Sequence, residues 1–527
     1  MTTIRNLFLA ALISIISFSD IFGQIIQNGT FSGSFESNNN FYQTDSAVNA
    51  IAPDDKLGSN TYFKFDYKIG KFTAGIQYEA YLPPQVGYSQ LLEGNKLTGR
   101  YASYNDSLFT FTVGTFYEQF GNGLIFRSYE ERALGINNSL DGFSLKLNPH
   151  KSATIKAIWG KQRKYLDNGE STIRGIDGEI DILSMFNNES NYLLSIGGSF
   201  VNRYQPYTGP DENIPTSVNA FASRLKFEYK AYSVNAEYVN KQKEPQQIHS
   251  GQITYNEGSA LLLQQTITAK GFGSTLSLRR IENIDYRSER EDDYSKINYI
   301  PALTKQHKYM LANFHPYSSQ LIDEIGGQLD VFYSVPRNTS ITWAKGLKVN
   351  FNISRYWKTD SNNSNYFSIG DTLFYNDISV EIEKKFSSGF KTNVSFINQE
   401  YNKGAITGGS GVIKANITVI ESSIRLKNNV WLKIELSELF PIQNENNWTY
   451  IMSELSVAPK WTLFVSDIIE HSTKNTHYYN FGFSYTRNAS RIAINWGRNK
   501  EGYSCAGGIC KPVPSYSGLG VSVSTTF

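Results

Sequence analysis

Long apolar runs are missing from this 527-residue chain after its first two dozen residues, and the mean hydropathy is -0.37. Because a membrane-spanning helix needs about 20 apolar residues, no such helix is predicted. An excess of one charge is missing too, since 50 Lys and Arg stand against 48 Asp and Glu, a formal net charge of +2. With no basic stripe either, the sequence excludes a nucleic-acid partner.

Cysteine is scarce, and its two copies stand close together near the end. Cys505 and Cys510 bracket the flexible stretch Ala506-Gly507-Gly508-Ile509. In an oxidising compartment such a pair forms a disulfide, so we predict that the two cysteines are joined. A metal site would need more ligands nearby, and no histidine lies close in sequence.

Histidine is also rare, and no catalytic motif is present. The chain lacks an H-E-x-x-H sequence, a nucleophile elbow and a phosphate-binding loop. His471 and His477 share one predicted loop, but two ligands are too few for a specific metal site. We therefore predict surface histidines, no metal, no cofactor and no enzyme, although side chains from distant strands could still meet on one wall. The six are His150, His249, His307, His315, His471 and His477.

The first residues differ from the rest of the chain. One positive charge, Arg5, precedes the apolar stretch Leu7 to Phe18, and the small residue Gly23 stands before Gln24. This order is typical of a secretory signal peptide. We predict a signal peptide over residues 1–23 and one domain over residues 24–527.

Aromatic residues are abundant, with 34 Tyr and 33 Phe. A membrane β-barrel combines this composition with low average hydropathy because lipid-facing and lumen-facing residues alternate. Alternation recurs from about Thr30 to the end, in segments of about 10 residues, the length that crosses a bilayer at a tilt. The clearest case sets Val430, Leu432, Ile434 and Leu436 against Trp431, Lys433, Glu435 and Ser437.

Connections alternate between short turns and longer polar loops in the second half, as in bacterial barrels. The predicted fold is all-β: a single transmembrane antiparallel β-barrel of about 22–24 strands, with short periplasmic turns and longer extracellular loops. The strand that ends at Phe527 resembles the C-terminal signal read by the outer-membrane assembly machinery, which puts the cysteine hairpin outside the cell.

Around residues 308–325 two alternatives stay open, a strand at Tyr309 to His315 or an inward fold of residues 316–324. The charged run Arg287 to Asp293 is predicted to lie in a solvated outer loop.

One segment between two early strands departs from this pattern. It contains Phe120-Gly121-Asn122-Gly123-Leu124, then Arg127-Ser128-Tyr129-Glu130-Glu131-Arg132, then Leu134-Gly135-Ile136-Asn137. With the later Tyr299–Leu303 phrase and the cysteine hairpin, it resembles a family of large, poorly characterised outer-membrane barrels from Bacteroidota. The resemblance implies a barrel type and no settled activity.

The charges of that segment, Arg127, Glu130, Glu131 and Arg132, form a candidate site that we call the charge cluster. Charge facing lipid near the midplane costs about 2–4 kcal/mol, so these side chains are predicted to point into the lumen. Two interpretations stay open. The cluster is either an internal salt-bridge network that braces the wall or an inward fold, or a constriction or ligand-binding patch.

Two classes of function follow for a barrel located in the outer membrane, in contact with the lipid bilayer and lipopolysaccharide. In the first, the chain is a structural or partner-binding subunit that holds surface lipoproteins, secretion machinery or assembly components. In the second, it is a passive or plugged channel for solutes. The sequence favours the subunit, because no lumen residue is tuned to one substrate.

Overall fold

A computed structural model describes residues 29–186, 191–211, 214–247, 253–360, 365–442 and 446–527. The predicted signal peptide and His249 lie outside these ranges. Within them, 24 antiparallel strands form one closed barrel, which confirms the predicted fold class. None of the helices in the same ranges is both long and apolar enough to span a membrane.

The first half of the chain supplies the strands β1 (Thr30–Gln43), β2 (Leu57–Ile69), β3 (Phe72–Tyr81), β4 (Gly94–Asn105), β5 (Phe109–Phe116), β6 (Glu130–Glu131), β7 (Ile136–Asn137), β8 (Leu140–His150), β9 (Ala153–Lys164), β10 (Asp167–Asn168), β11 (Thr172–Asp181), β12 (Tyr192–Tyr204), β13 (Ser217–Tyr229), β14 (Tyr232–Gln247), β15 (Ile253–Ala269) and β16 (Phe272–Glu282). The second half supplies β17 (Asp323–Ser334), β18 (Lys348–Thr359), β19 (Ile369–Ser387), β20 (Phe390–Asn402), β21 (Val412–Lys427), β22 (Val430–Pro441), β23 (Asn447–Val457), β24 (Trp461–His471), β25 (Thr476–Arg487), β26 (Ser490–Asn499), β27 (Gly502–Ala506), β28 (Ile509–Val513) and β29 (Tyr516–Thr526). The short helices are α1 (Ile182–Phe186) and α2 (Lys403–Thr407).

The barrel closes between its first and last strands. β1 pairs with β2 on one side and with β29 on the other. The backbone N–H of Gly33 donates to the carbonyl oxygen of Phe527 at 2.8 Å. Two small strand pairs stand apart from the wall, β6 with β7 and β27 with β28, whereas the short β10 pairs antiparallel with the end of β9 at the rim.

The two faces of the wall have opposite chemistry, as the alternation predicts. On β22, Ile434 and Leu436 are 41% and 42% exposed on the outer face, whereas Glu435 points inward and is buried. Aromatic side chains gather on the outer face near one end of the barrel, for example Tyr192 against Tyr229, with ring centroids 4.2 Å apart. An apolar outer band with an aromatic girdle is what a bilayer requires of a barrel.

The two ends of the barrel differ in the length of their connections. One end, the short-turn end, has tight two-residue turns such as residues 70–71, 230–231 and 428–429. Two connections at this end are longer, one with α1 and one with a 3-10 turn at Thr342–Ala344. The opposite end, the long-loop end, has the three longest connections, residues 117–139, 283–322 and 500–515. These three connections fill or cover the lumen, as described below.

The long connection before β17 settles the strand count that the sequence left open. Residues 309–315 form no strand, since Leu311–Asn313 is a 3-10 turn. Tyr309, Leu311 and Tyr317 are all buried against the inner wall. The inward fold is therefore correct, and it is longer than residues 316–324.

Candidate functional site

Two connections from the long-loop end fold into the lumen, and we call them the first inward segment (residues 117–139) and the second inward segment (residues 283–322). Each contributes apolar side chains to a shared core with the lumen-facing wall. Such packing excludes water and stabilises the inward position of both segments. The core joins Phe120, Leu124, Ile125 and Phe126 of the first segment, Ile284, Tyr286, Ile297 and Ile300 of the second, and wall residues including Ile173, Val201, Val218 and Ile281.

The glycines of the first inward segment permit a tight turn against the wall. Gly121 and Gly123 have φ angles of +51° and +89°, a region that favours glycine. A Cβ atom on Gly121 would lie 2.6 Å from Arg224 Cδ, so a side chain has no room there. The neighbouring Asn122 backbone N–H and side-chain amide donate to Glu237 Oε2 at 2.8 and 2.6 Å. The F-G-N-G-L sequence therefore docks this segment on β13 and β14.

The two inward segments are also joined to each other through their backbones. The Arg127 N–H donates to the Ile297 carbonyl at 2.8 Å, and the Tyr299 N–H donates to the Gly123 carbonyl at 2.9 Å. The Asn138 side-chain amide donates to the Lys296 carbonyl at 3.1 Å. Buried backbone groups are thus satisfied between the segments, as a stable interior requires.

The second inward segment continues across the lumen to the opposite wall. Tyr309, Leu311 and Ala312 pack in a second apolar core against lumen-facing residues of β20 to β24. His307 Nε2 lies 2.9 Å from Asp377 Oδ2 on β19. Lys308 Nζ lies 3.2 Å from Glu421 Oε1 on β21. The wall residues of that core include Ile397, Ile417, Val419, Leu439, Met452 and Ile468.

The structure brings together only part of the predicted charge cluster. Arg132 Nη1 lies 2.9 Å from Glu36 Oε2 on β1, and Arg132 Nε lies 3.2 Å from Glu130 Oε1. Glu130 also accepts a hydrogen bond from the Gln77 amide on β3 at 2.8 Å. Glu130 and Arg132 thus connect the first inward segment to β1 and β3.

The other two predicted residues have separate positions. The Arg127 guanidinium stacks over the Tyr299 ring, 3.9 Å from its centroid, and so joins the two inward segments. The Glu131 side chain accepts from the Ala133 N–H at 3.3 Å and caps the 3-10 turn Arg132–Leu134. Arg127 and Glu131 therefore contact different partners from those of Glu130 and Arg132.

Sequence reasoning missed the charges on the wall itself. Arg163 on β9 forms a two-point contact with Glu79 on β3, at 2.6 and 2.7 Å. Arg279 on β16 pairs with Glu324 on β17 at 2.6 Å, and both are almost fully buried. The sequence feature that could have indicated them is their position on the polar, lumen-facing side of strands that alternate polar and apolar residues. Further buried partners are Arg224 with Asp177, and Glu244 with Arg203 and Lys241.

The cysteine hairpin also lies against the lumen contents. Cys505 and Cys510 are joined by a disulfide between β27 and β28. At the hairpin tip, the Gly508 carbonyl accepts from the Ala302 N–H of the second inward segment at 3.1 Å. The Tyr299 hydroxyl donates to the Gly507 carbonyl. The disulfide therefore holds a tip that covers the second inward segment at the long-loop end.

Two expectations about surface residues were wrong. The run Arg287 to Asp293 is solvated only in part: Glu291 and Asp293 are exposed, whereas Glu289 is buried and accepts from the Ser171 N–H at 3.0 Å. His307 is no surface histidine, because the second inward segment carries it to the wall at β19. Both errors have one cause, since each residue lies in a segment that was expected outside the barrel and folds inside. Within the described ranges, no group of three His, Cys, Asp or Glu could hold a metal ion.

Comparisons with known proteins assign the chain to one family. The chain matches the model of a family described as "Family of unknown function (DUF6029)" over residues 3–527. No functionally curated protein matches it. Similar solved structures include the P pilus usher PapC translocation pore, at 10% identity over 94% of this chain and 99% of that chain, with a TM-score of 0.48.

Two further solved structures are from Pseudomonas aeruginosa. The outer membrane protein opdK is 9% identical over 94% of this chain and 99% of that chain, with a TM-score of 0.36. The siderophore receptor PirA is 12% identical over 94% of this chain and 80% of that chain, with a TM-score of 0.40.

Proposed function

Because the chain belongs to DUF6029, a family of unknown function, we propose a function from the contents of its lumen. The protein is an integral outer-membrane barrel, closed to free diffusion, that acts as a structural or partner-binding subunit of an outer-membrane complex. One observation carries the proposal: the two inward segments occupy the lumen and contact the wall around its circumference. The contacted wall residues include Glu36 on β1, Gln77 on β3, Glu237 on β14, Arg279 on β16, Asp377 on β19, Leu439 on β22 and Ile468 on β24.

The nature of these contacts supports a permanent closure. Apolar cores lie on both sides of the lumen, and moving a segment would expose them to water at about 25 cal/mol per Å². Buried hydrogen bonds from the wall to the segments, such as those of Glu237 with Asn122 and of Glu324 with Tyr317, would be lost at the same time. A passive pore needs an open path for solutes, and such a packed interior leaves none. A scaffold gains a rigid outer surface from it.

The outer surface supports a location in the outer membrane. The apolar band and the girdle would contact lipid, and the long-loop end would face lipopolysaccharide and the cell exterior. On this proposal the partners are outer-membrane or surface lipoproteins that dock on the wall or on the connections. The proposal assigns the chain no catalysis, no cofactor and no nucleic-acid partner. We further propose that the chain comes from a member of the Bacteroidota and that residues 1–23 are removed as a signal peptide.

A second candidate, a gated channel, is favoured by a different observation. Both inward segments are connections between neighbouring strands, so they could move without breaking the wall. The lumen-facing residues near the short-turn end are polar, for example Lys226 beside Glu228, with side chains 43% and 42% exposed. A displaced segment would therefore leave a polar path.

Bilayer recordings and native size separate the two candidates. The purified wild-type protein should be electrically silent, and gentle detergent extraction should give a complex larger than one chain with a stoichiometric partner. A variant with residues 285–321 replaced by a short Gly/Ser linker should show large, stable openings. Replacing residues 472–475, the connection between β24 and β25 at the same end, with Gly/Ser is the matched control, and that variant should stay silent. Steady wild-type currents, or extraction as a single chain, would reject the subunit role.

A further inference from the structure

A partly enclosed cavity of about 120 Å³ lies at the long-loop end, apart from the apolar cores. It forms where the hairpin β27–β28 meets the 3-10 turn Arg132–Leu134 and the connection before β4. The cavity therefore joins the R-x-Y-E-x-R segment to the cysteine hairpin, which are almost 380 positions apart in the sequence (511 − 132 = 379). Neither sequence feature predicts this meeting.

The cations that line the cavity differ in whether they have a carboxylate partner. Each lining carboxylate already has a cation beside it: Glu79 with Arg163 at 2.6 Å, Glu130 with Arg132 at 3.2 Å, and Asp292 with Lys164 at 3.8 Å. Lys511 is the remaining lining cation. Its ammonium group is buried and, among the described residues, has no hydrogen-bond partner. Arg132 also lies 2.9 Å from Glu36, so the lining has no overall excess of charge, but Lys511 is the one lining cation with no carboxylate within ion-pair distance among the described residues.

The Lys511 ammonium group is held in place by an aromatic ring. It lies 3.4 Å from the centroid of Tyr88, whose hydroxyl donates to the Arg132 carbonyl at 2.8 Å. A ring face offsets part of the cost of burying a cation but supplies no hydrogen-bond acceptor. Burial accordingly lowers the pKa of Lys511 to about 8. A buried ammonium group that points at a cavity and has no acceptor of its own is a donor that an anion entering the cavity can use.

The rest of the lining specifies which anion fits. Leu92, Leu134 and Pro512 give the cavity an apolar side. A single ammonium group without a carboxylate partner matches one negative charge, whereas a phosphate would leave a second charge unpaired. A dry cavity of about 150 Å³ can hold benzene, so this volume suits a molecule of a few heavy atoms. We propose that the cavity binds a small organic monoanion, a short-chain carboxylate, with the Lys511 ammonium group as its donor.

Bound carboxylate would link the hairpin to the turn Arg132–Leu134, because Lys511 belongs to β28 and Leu134 to the first inward segment. The site is independent of the proposed subunit role, since a closed barrel and a gated channel would both contain it. Its chemistry needs no partner protein and no metal. It can be tested on the purified mature chain in detergent.

Calorimetry with sodium propionate is the direct test. Propionate should bind wild type and the control variant Lys474→Met equally, since Lys474 is exposed in a loop at the same end. Lys511→Met keeps the length of the side chain and removes the charge, so binding should weaken roughly tenfold or more. No binding to wild type, or equal binding to Lys511→Met, would overturn the proposal. Phosphate that binds more tightly than propionate would overturn the ligand class.

A second measurement needs no variant and guards against misfolding. An amine-reactive reagent applied to wild type should label Lys511 more slowly when propionate is present, and mass spectrometry reads the labelled peptide. Labelling of Lys474 in the same sample should not change. Equal protection of both lysines, or protection of neither, would contradict a specific site at Lys511.

Discussion

The buried carboxylate of Glu324 offers a sharp test of how the wall holds the second inward segment. Its Oε1 accepts from Arg279 Nη2 at 2.6 Å, and its Oε2 accepts from the Tyr317 hydroxyl at 2.6 Å and the Gln320 N–H at 2.8 Å. Arg279 in turn donates to the Pro301 carbonyl at 2.5 Å. Wall and segment therefore share one hydrogen-bonded group. Replacing Glu324 with Gln keeps its shape and removes its charge.

The expected cost follows from the burial of Arg279. Its side chain is 2% exposed, so Glu324→Gln leaves an uncompensated charge away from water. Breaking a buried pair in this way costs about 3–5 kcal/mol. This cost falls on the closed state of the segment, in which Arg279 is kept from water. The population of the locally open state therefore rises by a factor of roughly 10² to 10³ or more. An exposed pair has far less effect, typically about 0.2–1 kcal/mol.

Hydrogen exchange measures this opening residue by residue. Peptides that cover residues 314–322 should exchange by roughly two orders of magnitude faster in Glu324→Gln than in wild type. The control is Lys226→Gln, which removes the exposed partner of Glu228 near the short-turn end. That variant should leave the same peptides unchanged. A double variant, Arg279→Met with Glu324→Met, should exchange more slowly than Glu324→Gln, because it strands no charge.

One result would refute the reasoning. If Glu324→Gln exchanged at the rate of Lys226→Gln, the wall charges would not hold the segment. The apolar contacts alone would then account for the closed lumen. That conclusion requires a correctly folded sample. Folding is judged by the different gel positions of the boiled and unboiled protein.

Three further predictions concern other parts of the chain. N-terminal sequencing of the mature protein should start at or near Gln24, and the protein should fractionate with the outer membrane; recovery in the soluble periplasm would be incompatible with the fold. Mass spectrometry should find no free thiol at Cys505 and Cys510, and reducing this small loop should cost below roughly 3 kcal/mol, with faster exchange at Ala302. Burial, helped by Lys500 and Lys403, lowers the pKa of His315 from 6.5 to about 4. The folded state therefore binds the proton less well than the unfolded state, so this contribution to stability is complete above pH 6.5 and is lost, by up to about 3 kcal/mol, as the pH falls from 6.5 to 4. Proteolysis at acid pH should therefore cut the second inward segment in wild type. Equal cutting of His315→Gln would contradict this cause.

The wall was predictable because its information is local. Period-two alternation and turn residues fix each strand and its neighbours, so β22 and β23 could be read directly from residues 430–457. The lumen was not predictable, because its contacts join positions far apart in the chain. Glu79 and Arg163 are separated by 84 positions, and nothing near either residue marks the other.

One local signal for the filled lumen did exist. On β21, Ile417 and Val419 face the lumen core, while Ile420 is 45% exposed on the outer face. A strand that meets lipid on one face and water on the other should not have apolar residues in both phases. Such a strand indicates that something apolar lies inside. The 40-residue interval between Glu282 and Asp323 supplies that material.

The attachment of the inward segments limits how this barrel could ever open. Phe116 pairs with Leu140, and Glu282 pairs with Asp323, so the two ends of each segment are fixed on neighbouring strands. Neighbouring strands lie about 5 Å apart, so each segment is a loop tethered at both ends to one point on the rim. It cannot be expelled through the barrel as an independent domain could. Any opening must be a hinged swing back toward the long-loop end, and for the second inward segment this swing breaks the hydrogen bond from Ala302 to the hairpin tip at Gly508.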